Sequence, residues 1–341
     1  MIPRLDISFT LKNQKTFWFG DLYSPQKDEF LINHARSGIV MALHAVLPNG
    51  GKVGVVAYNC YTVSNAVVTC GCTPVFVDVT EDLHINVQHL QTLKLDVLIV
   101  TNLFGIHNDI HTIQSAQPNA IIIVDNAHGY GLPVEGDFTV YSINQGKFPA
   151  LGEGGILWVN NEKYRDSIEQ QYTRLSTYSV VDEINLFLTM LFKAWMHTSF
   201  VYSLITLPMK KSRKEKSCIE NVIVKRMARG VNRIYKSTLS TIKDQIFLHK
   251  TNAQYVASFW QEYGLGNDVW YGENAFMLIG RHTNPLTVKQ IFAKHGLEVA
   301  THFVKSIEWA KEFGYTQGQC PITERLTQEL IMIPTYKSIK L

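Results

Sequence analysis

The 341-residue chain is poor in the features that stabilise small secreted scaffolds. Its five cysteines, Cys60, Cys70, Cys72, Cys218 and Cys320, form an odd set without zinc-ribbon spacing. That argues against a disulfide framework. The close pair Cys70 and Cys72 reads as two reduced thiols in a buried strand-turn rather than as a redox or metal pair. Charge is also slight, with a net +3 and only 18% charged residues. No basic stripe interleaved with aromatics accompanies it, so nucleic acid is not an indicated partner. The first residues lack the apolar centre of a signal peptide, which predicts a cytoplasmic protein. Internal repeats and low-complexity tracts are missing as well. What remains is apolar: hydrophobic residues make up 46% of the chain, enough for one large core and a smaller one.

No apolar run is both long enough and clean enough to read as a membrane span. The nearest, residues 186–208, is interrupted by Lys193, His197, Thr198 and Ser199 and is followed by the basic cluster Lys210, Lys211, Arg213, Lys214 and Lys216. A lysine at mid-depth is costly in a bilayer. The stretch therefore reads as helices buried against a partner subunit, with peripheral attachment to the inner face of a membrane as the alternative.

Shorter apolar runs carry the fold. Residues 39–47 are apolar at helical length and stop at Pro48-Asn49-Gly50-Gly51. Strand-like runs follow at 52–56, 74–79, 96–101, 120–124 and 138–142, with a helix expected over 63–69. Continuous apolar strands separated by helices predict a three-layer α/β/α arrangement around a mostly parallel sheet. Beyond residue 220 come helical patterns at 226–247, 251–263 and 287–295, with strands at 276–279 and 298–301. The expected organisation is a large domain over 1–245, with an apolar helical insert at 185–216, and a smaller α+β domain over 246–341. Ligands of such sheets bind beyond the carboxyl ends of the strands, where Asn102, Asp125 and Ser142 fall.

Lys147 follows one of these strands and precedes Gly152-Glu153-Gly154-Gly155. An amine pressed against apolar neighbours can lose its proton near neutral pH and attack an aldehyde. Asp125, at the end of the 120–124 run, is placed to pair with a pyridinium nitrogen. Together the two residues suggest a pyridoxal 5'-phosphate (PLP) enzyme.

Taken in order, four segments resemble the DegT/DnrJ/StrS sugar-nucleotide aminotransferases, which have the fold-type-I PLP architecture. They are Arg36-Ser37-Gly38-Ile39 at a helix N-terminus, Thr73-Pro74-Val75-Phe76-Val77-Asp78-Val79, Val124-Asp125-Asn126-Ala127-His128-Gly129, and the lysine segment from Ser142 to Gly155. Thr301-His302-Phe303 is a fifth, weaker match. The resemblance runs from about Arg36 to Tyr336. It implies that Lys147 is the Schiff-base lysine and that Asp125 keeps the ring nitrogen protonated. It further implies that Tyr61 stacks on the ring, that His128 lies beside the phenolic oxygen, and that Ser37, Gly38, Ile39 and Ser142 hold the phosphate. His302, with Lys305 and Arg281, is a weaker candidate for acceptor contacts.

The implied activity is amino transfer from an amino acid, glutamate by expectation, to a nucleotide-linked ketosugar for polysaccharide or glycan synthesis, in a homodimer. Two departures qualify the pattern. Ile39 stands where the family usually has a hydroxyl residue, and Arg36 could compensate by pairing with the phosphate. Val224-Lys225-Arg226-Met227 lacks the family's asparagine that reaches the partner's cofactor. A non-catalytic relative that keeps the fold is the alternative.

Overall fold

Runs of valine and isoleucine, buried on both faces, give the protein its centre. A computed structural model describes residues 2–3, 9–198, 200–202, 217–336 and 339 of the chain. In chain order its first half comprises α1 (Leu11–Phe19), β1 (Glu29–Ile32), α2 (Ala35–Val46), β2 (Lys52–Val56), α3 (Tyr61–Thr69), β3 (Thr73–Val77), α4 (Val87–Gln91), β4 (Val97–Thr101), α5 (Ile110–Ala116), β5 (Ile121–Asn126), β6 (Phe138–Ser142) and β7 (Gly155–Val159). After these come α6 (Arg165–Arg174), α7 (Val180–Met196), α8 (Arg229–Leu239), α9 (Ile242–Glu262), β8 (Val269–Tyr271), β9 (Met277–Arg281), α10 (Pro285–Lys294), α11 (Ser306–Lys311), α12 (Pro321–Glu329) and β10 (Leu330–Pro334).

Seven strands form one sheet in the order β1-β7-β6-β5-β4-β2-β3. The pairs β2–β3, β2–β4, β4–β5 and β5–β6 are parallel. β7 pairs antiparallel with both β6 and β1, so it alone runs against the rest. Because side chains alternate across a strand, successive residues serve opposite cores. Val97, Ile99 and Ile123 face the core built with α2, α3 and α6. Leu98, Val100, Ile122 and Val124 face the core shared with α4, α5 and the strands of a second sheet. That second sheet is three-stranded and antiparallel, in the order β10-β9-β8. The expected three-layer α/β/α architecture is what the chain forms.

Two elements differ from expectation. The strand expected over 298–301 is reduced to one bridge between Ala300 and Met332, since the chain enters a turn in which Phe303 has a φ of 54°. The helix expected over 226–247 is two helices, broken at Ser240-Thr241. Arg226 instead bridges Ile32 in extended conformation. α8 starts only at Arg229, where the buried Glu183 carboxylate of α7 accepts the N–H groups of Arg229 and Gly230 at 2.6 and 3.1 Å. A carboxylate is favoured at that positive helix end.

No described helix is long and apolar enough to cross a membrane. α7 begins at a capping box between Ser179 and Asp182 and buries Met190 against the lysine segment. Its other side exposes Val181, Ile184, Leu188, Phe192 and Trp195. The basic cluster at 210–216 lies outside the described residues.

One close approach fixes the start of α2. A Cβ on Gly155 would sit 2.3 Å from the His34 carbonyl carbon and 2.4 Å from the Ala35 nitrogen. Backbone cannot yield as a flexible side chain can. Gly155→Ala should therefore push α2 off β7, costing about 1–3 kcal/mol and weakening anion binding at the helix start. Urea unfolding beside a phosphate titration checks this. An alanine variant as stable as the parent would show that the helix start is free to move.

Candidate active site

A cavity of about 230 Å³ opens at the carboxyl ends of β4, β5 and β6. One wall is the N-terminus of α2, contributing His34, Ala35, Arg36 and Ile39. His34 is the N-cap and makes no side-chain capping bond, so the positive end of a 12-residue helix faces the cavity. Ser142, Asn144 and Gln145 stand opposite, while Asn59, Cys60 and Thr62 enter from the start of α3. Asp125, Ala127, His128 and Lys147 form the floor, and Phe303 comes from the far end of the chain.

Asp125 is the penultimate residue of β5 and is only 3% exposed. Its Oδ1 accepts the Ala127 N–H at 3.0 Å. The Thr101 hydroxyl also bonds this carboxylate, and Asn59 Nδ2 donates to Thr101 Oγ1 at 2.9 Å, which holds the hydroxyl in place. Burial raises the Asp125 pKa, whereas the Ala127 N–H, nearby Lys147 and the Thr101 hydroxyl favour the charged form.

Lys147 is half-buried as a residue, but its amine lies deep among protein groups. Burial lowers its pKa, and the neighbouring Cys60 and Asp125 act in the opposite sense. Its Nζ lies 2.7 Å from His128 Nε2. The segment that carries it is tied down at both ends. The Ile143 N–H donates to the Gly154 carbonyl at 3.0 Å, and the Leu151 N–H to Ile143 at 2.9 Å. Gly152, at φ 93°, packs under Met190 of α7, and Glu153 accepts the Tyr178 hydroxyl.

Of the residues expected from sequence, Ile39, Asp125, His128, Ser142 and Lys147 come together here. Ser37 and Gly38 do not. The Ser37 hydroxyl donates to Asn33 Oδ1 at 2.8 Å, and a Cβ on Gly38 would meet Val140 Cγ1 at 2.9 Å, so both face the sheet. Tyr61 also lies off the cavity, packed edge-on against Trp309 at 5.5 Å. The residue before it, Cys60, takes the cavity wall. His302 approaches from behind, its ring 5.9 Å from that of His128. Arg281 is engaged by Asp268 and Glu81 at 2.8 and 2.6 Å, and Lys305 lies 3.6 Å from Glu308. Arg226, in the segment expected to reach a partner, donates instead to the Tyr172 and Thr173 carbonyls of its own chain. Asn102 serves a buried network with Asn108 and Asn126 rather than the cavity.

Sequence reasoning passed over His34, Asn59, Cys60, Thr62, Thr101, Asn144 and Gln145, and had Phe303 only within the weak Thr301-His302-Phe303 match. For α2 a signal existed. Ala35, Arg36 and Ile39 share one helix face by their i, i+3 and i+4 spacing, while Ser37 and Gly38 fall on another.

The donor set fits PLP. A buried carboxylate suits a protonated ring nitrogen, an enclosed amine suits an aldehyde, and an uncapped helix start with Ser142 and Arg36 suits a phosphate. Among the described residues no cluster of His, Cys, Asp or Glu could hold a metal ion.

Fold and site together define a PLP-dependent aminotransferase of fold type I. Residues 26–185 match the model of the DegT/DnrJ/EryC1/StrS aminotransferase family, and this stretch supplies every cavity residue but Phe303. Three solved structures share the fold. The sugar aminotransferase CalS13 from Micromonospora echinospora is 14% identical with a TM-score of 0.70, covering 98% of this chain and 95% of that one. An aminotransferase from Psychrobacter cryohalolentis is 14% identical with a TM-score of 0.71, covering 98% and 93%. DesI, solved in the presence of its TDP-sugar product, is 16% identical with a TM-score of 0.67, covering 90% and 75%.

Buried histidines also give the site a response to acid. Burial holds His34 and His249 down to about 4, and His128 well below the ordinary 6.5. Between those values the unfolded chain binds protons that the folded chain refuses, so stability falls as pH drops from about 6.5 toward about 4. Burial raises Asp125 and Glu153, and their earlier protonation offsets part of this loss at its acid end. The urea midpoint should accordingly be lower near pH 5 than near pH 7. An equal or higher midpoint near pH 5 would contradict neutral burial of these rings.

Proposed function

We propose that the chain moves an amino group from an amino acid, with glutamate as donor, to a nucleotide-linked ketosugar, and that the product enters polysaccharide or glycan synthesis in the cytoplasm. The observation that carries this reading is the enclosed Lys147 amine, in one cavity with a buried Asp125 and against His128. The sugar half of the proposal draws support from DesI, which was solved with its TDP-sugar product.

Ser142 and the start of α2 would hold the phosphate, with Arg36 adding charge where Ile39 offers no hydroxyl. Asp125 would hold the ring nitrogen. When bound there, PLP supplies an electron sink that makes the donor's Cα–H acidic. The rest falls to the chain. Asp125 would keep a negative charge beside the ring nitrogen. Lys147 Nζ would take the proton from the donor's Cα and, as base and then acid, return it to the carbon on the other side of the transferred nitrogen. With the ketosugar the same amine moves the proton in the opposite direction. The wall of α2 and Phe303 keep bulk water off that transfer.

The exposed apolar stripe of α7 supports burial in a second copy, so the active form is proposed to be a homodimer. Light scattering at micromolar concentration should give twice the chain mass, and an active monomer would refute the dimer. The function itself is tested by the spectrum of the full chain with PLP, before and after adding glutamate. A bound-cofactor band that shifts to the pyridoxamine form, and is restored by a nucleotide ketosugar, supports the whole reading. A band that glutamate leaves unchanged overturns the choice of donor. No band at all would favour a non-catalytic relative.

A further inference from the structure

The hydrogen bonds around His128 decide where its protons are. The ring packs among aromatic side chains, with Phe104 stacked at 5.0 Å and 21° from parallel, and Phe303 at 5.9 Å and 18°. Phe104 belongs to a tight turn after β4 and has a left-handed φ of 53°. A phenylalanine held there costs about 1 kcal/mol or more, so the surroundings must enforce it. The Glu273 N–H donates to the Gly105 carbonyl at 2.9 Å, and Asn274 fills the space where a Cβ on Gly105 would stand.

In this turn the Phe104 N–H donates to His128 Nδ1 at 3.3 Å. A backbone N–H can only donate, so Nδ1 offers its lone pair and bears no proton. The proton of the neutral ring is therefore on Nε2, which lies 2.7 Å from Lys147 Nζ. Nε2–H is then the donor and Nζ the acceptor. An ammonium at Lys147 would require both ring nitrogens to be bare. An imidazolium at His128 would turn an Nδ1–H against the Phe104 N–H. Each charged state breaks one of the two bonds.

We infer that the left-handed turn at Phe104 is a positioning device: its backbone N–H fixes the tautomer of His128, whose Nε2–H holds the Lys147 amine neutral and aimed into the cavity. Burial works in the same direction on both residues. Of the charged and titratable groups that face the pair, His302 also disfavours charge on His128, whereas Cys60 and Asp125 favour charge on Lys147. The inference rests on Lys147 as the reactive amine of the proposed function, but not on which sugar or donor is used.

The test uses the full chain without cofactor, labelled with 15N-histidine, and assigns His128 by comparison with His128→Gln. From about pH 6 to 8 the Nδ1 signal should remain that of an unprotonated nitrogen and Nε2 that of a protonated one. A protonated Nδ1 in that range would overturn the inference. Acetic anhydride labelling of Lys147, followed by mass spectrometry across pH, gives a second readout. His128→Phe should shift the labelling midpoint upward, cutting labelling near neutral pH by about tenfold. An unshifted midpoint would count against the device. Phe104→Gly keeps both the N–H and the left-handed backbone, so the tautomer should survive it. Its loss there would assign the effect to ring stacking instead. If PLP gives no absorption band while Nε2 carries the proton, the proposed function fails and the device stands. If a band forms on a protein with a protonated Nδ1, only the device fails.

Discussion

Lys147→Ala is expected to abolish amino transfer, by roughly 10⁴-fold or more, and to remove the absorption band of the covalently held cofactor. The size follows from losing two roles at once. The amine is both the nucleophile that captures the aldehyde and the group that carries the Cα proton, and proton transfer alone is worth about 10²–10⁴-fold. The fold should survive, because the amine removed is neutral and water entering the cavity can accept the freed His128 Nε2–H. Circular dichroism and the urea midpoint of the variant should match the parent. Added small amines should restore a measurable fraction of the proton transfer, since the cavity then has room for them. Retention of the band in Lys147→Ala would show that another amine holds the cofactor, and the assignment would be lost.

Asp125→Asn should follow with the next largest effect, about 10³-fold on the rate of proton removal, with much less change in cofactor affinity. Asparagine keeps the shape and can still accept the Ala127 N–H, but it has no charge to oppose a protonated ring nitrogen. The carboxylate is enclosed, and in such a setting one charge counts for far more than in water. Stopped-flow absorbance with glutamate, in protonated and Cα-deuterated form, separates the effects. A slower step with a larger isotope effect is expected. A loss confined to affinity would make Asp125 an anchor rather than an electrostatic partner.

Much of this arrangement was legible in the sequence, for reasons that can be stated residue by residue. Five apolar runs match β2 to β6, most clearly in β4, β5 and β6, because strands buried on both faces have no polar register to obscure them. β2 and β6 match their expected bounds. Asp125, Ser142 and Lys147 were legible because each breaks or follows such a run at its carboxyl end. Side-chain direction was less so. The resemblance implies a cavity position for Tyr61, yet Tyr61 opens α3, and the cavity wall is Cys60, the N-cap before it. The resemblance places Ser37 and Gly38 at the phosphate, but a motif match does not say which face of α2 meets the sheet. The left-handed backbone at Phe104 and Phe303 lay beyond reach, since left-handed phenylalanines have no composition signal and are held only by distant parts of the chain.

Met190 of α7 presses on Gly152, five residues from Lys147, while the opposite side of the same helix exposes Leu188, Phe192 and Trp195. The lysine segment and an exposed apolar surface thus meet two sides of one helix. Whatever covers that surface also clamps the segment that carries the amine. If a second copy covers it, as proposed, occupancy by PLP should depend on protein concentration, falling on dilution to where the two copies separate. In a titration at fixed free PLP, saturation would follow the mass-action curve of a dimer, a dependence that a site wholly contained in one chain cannot show.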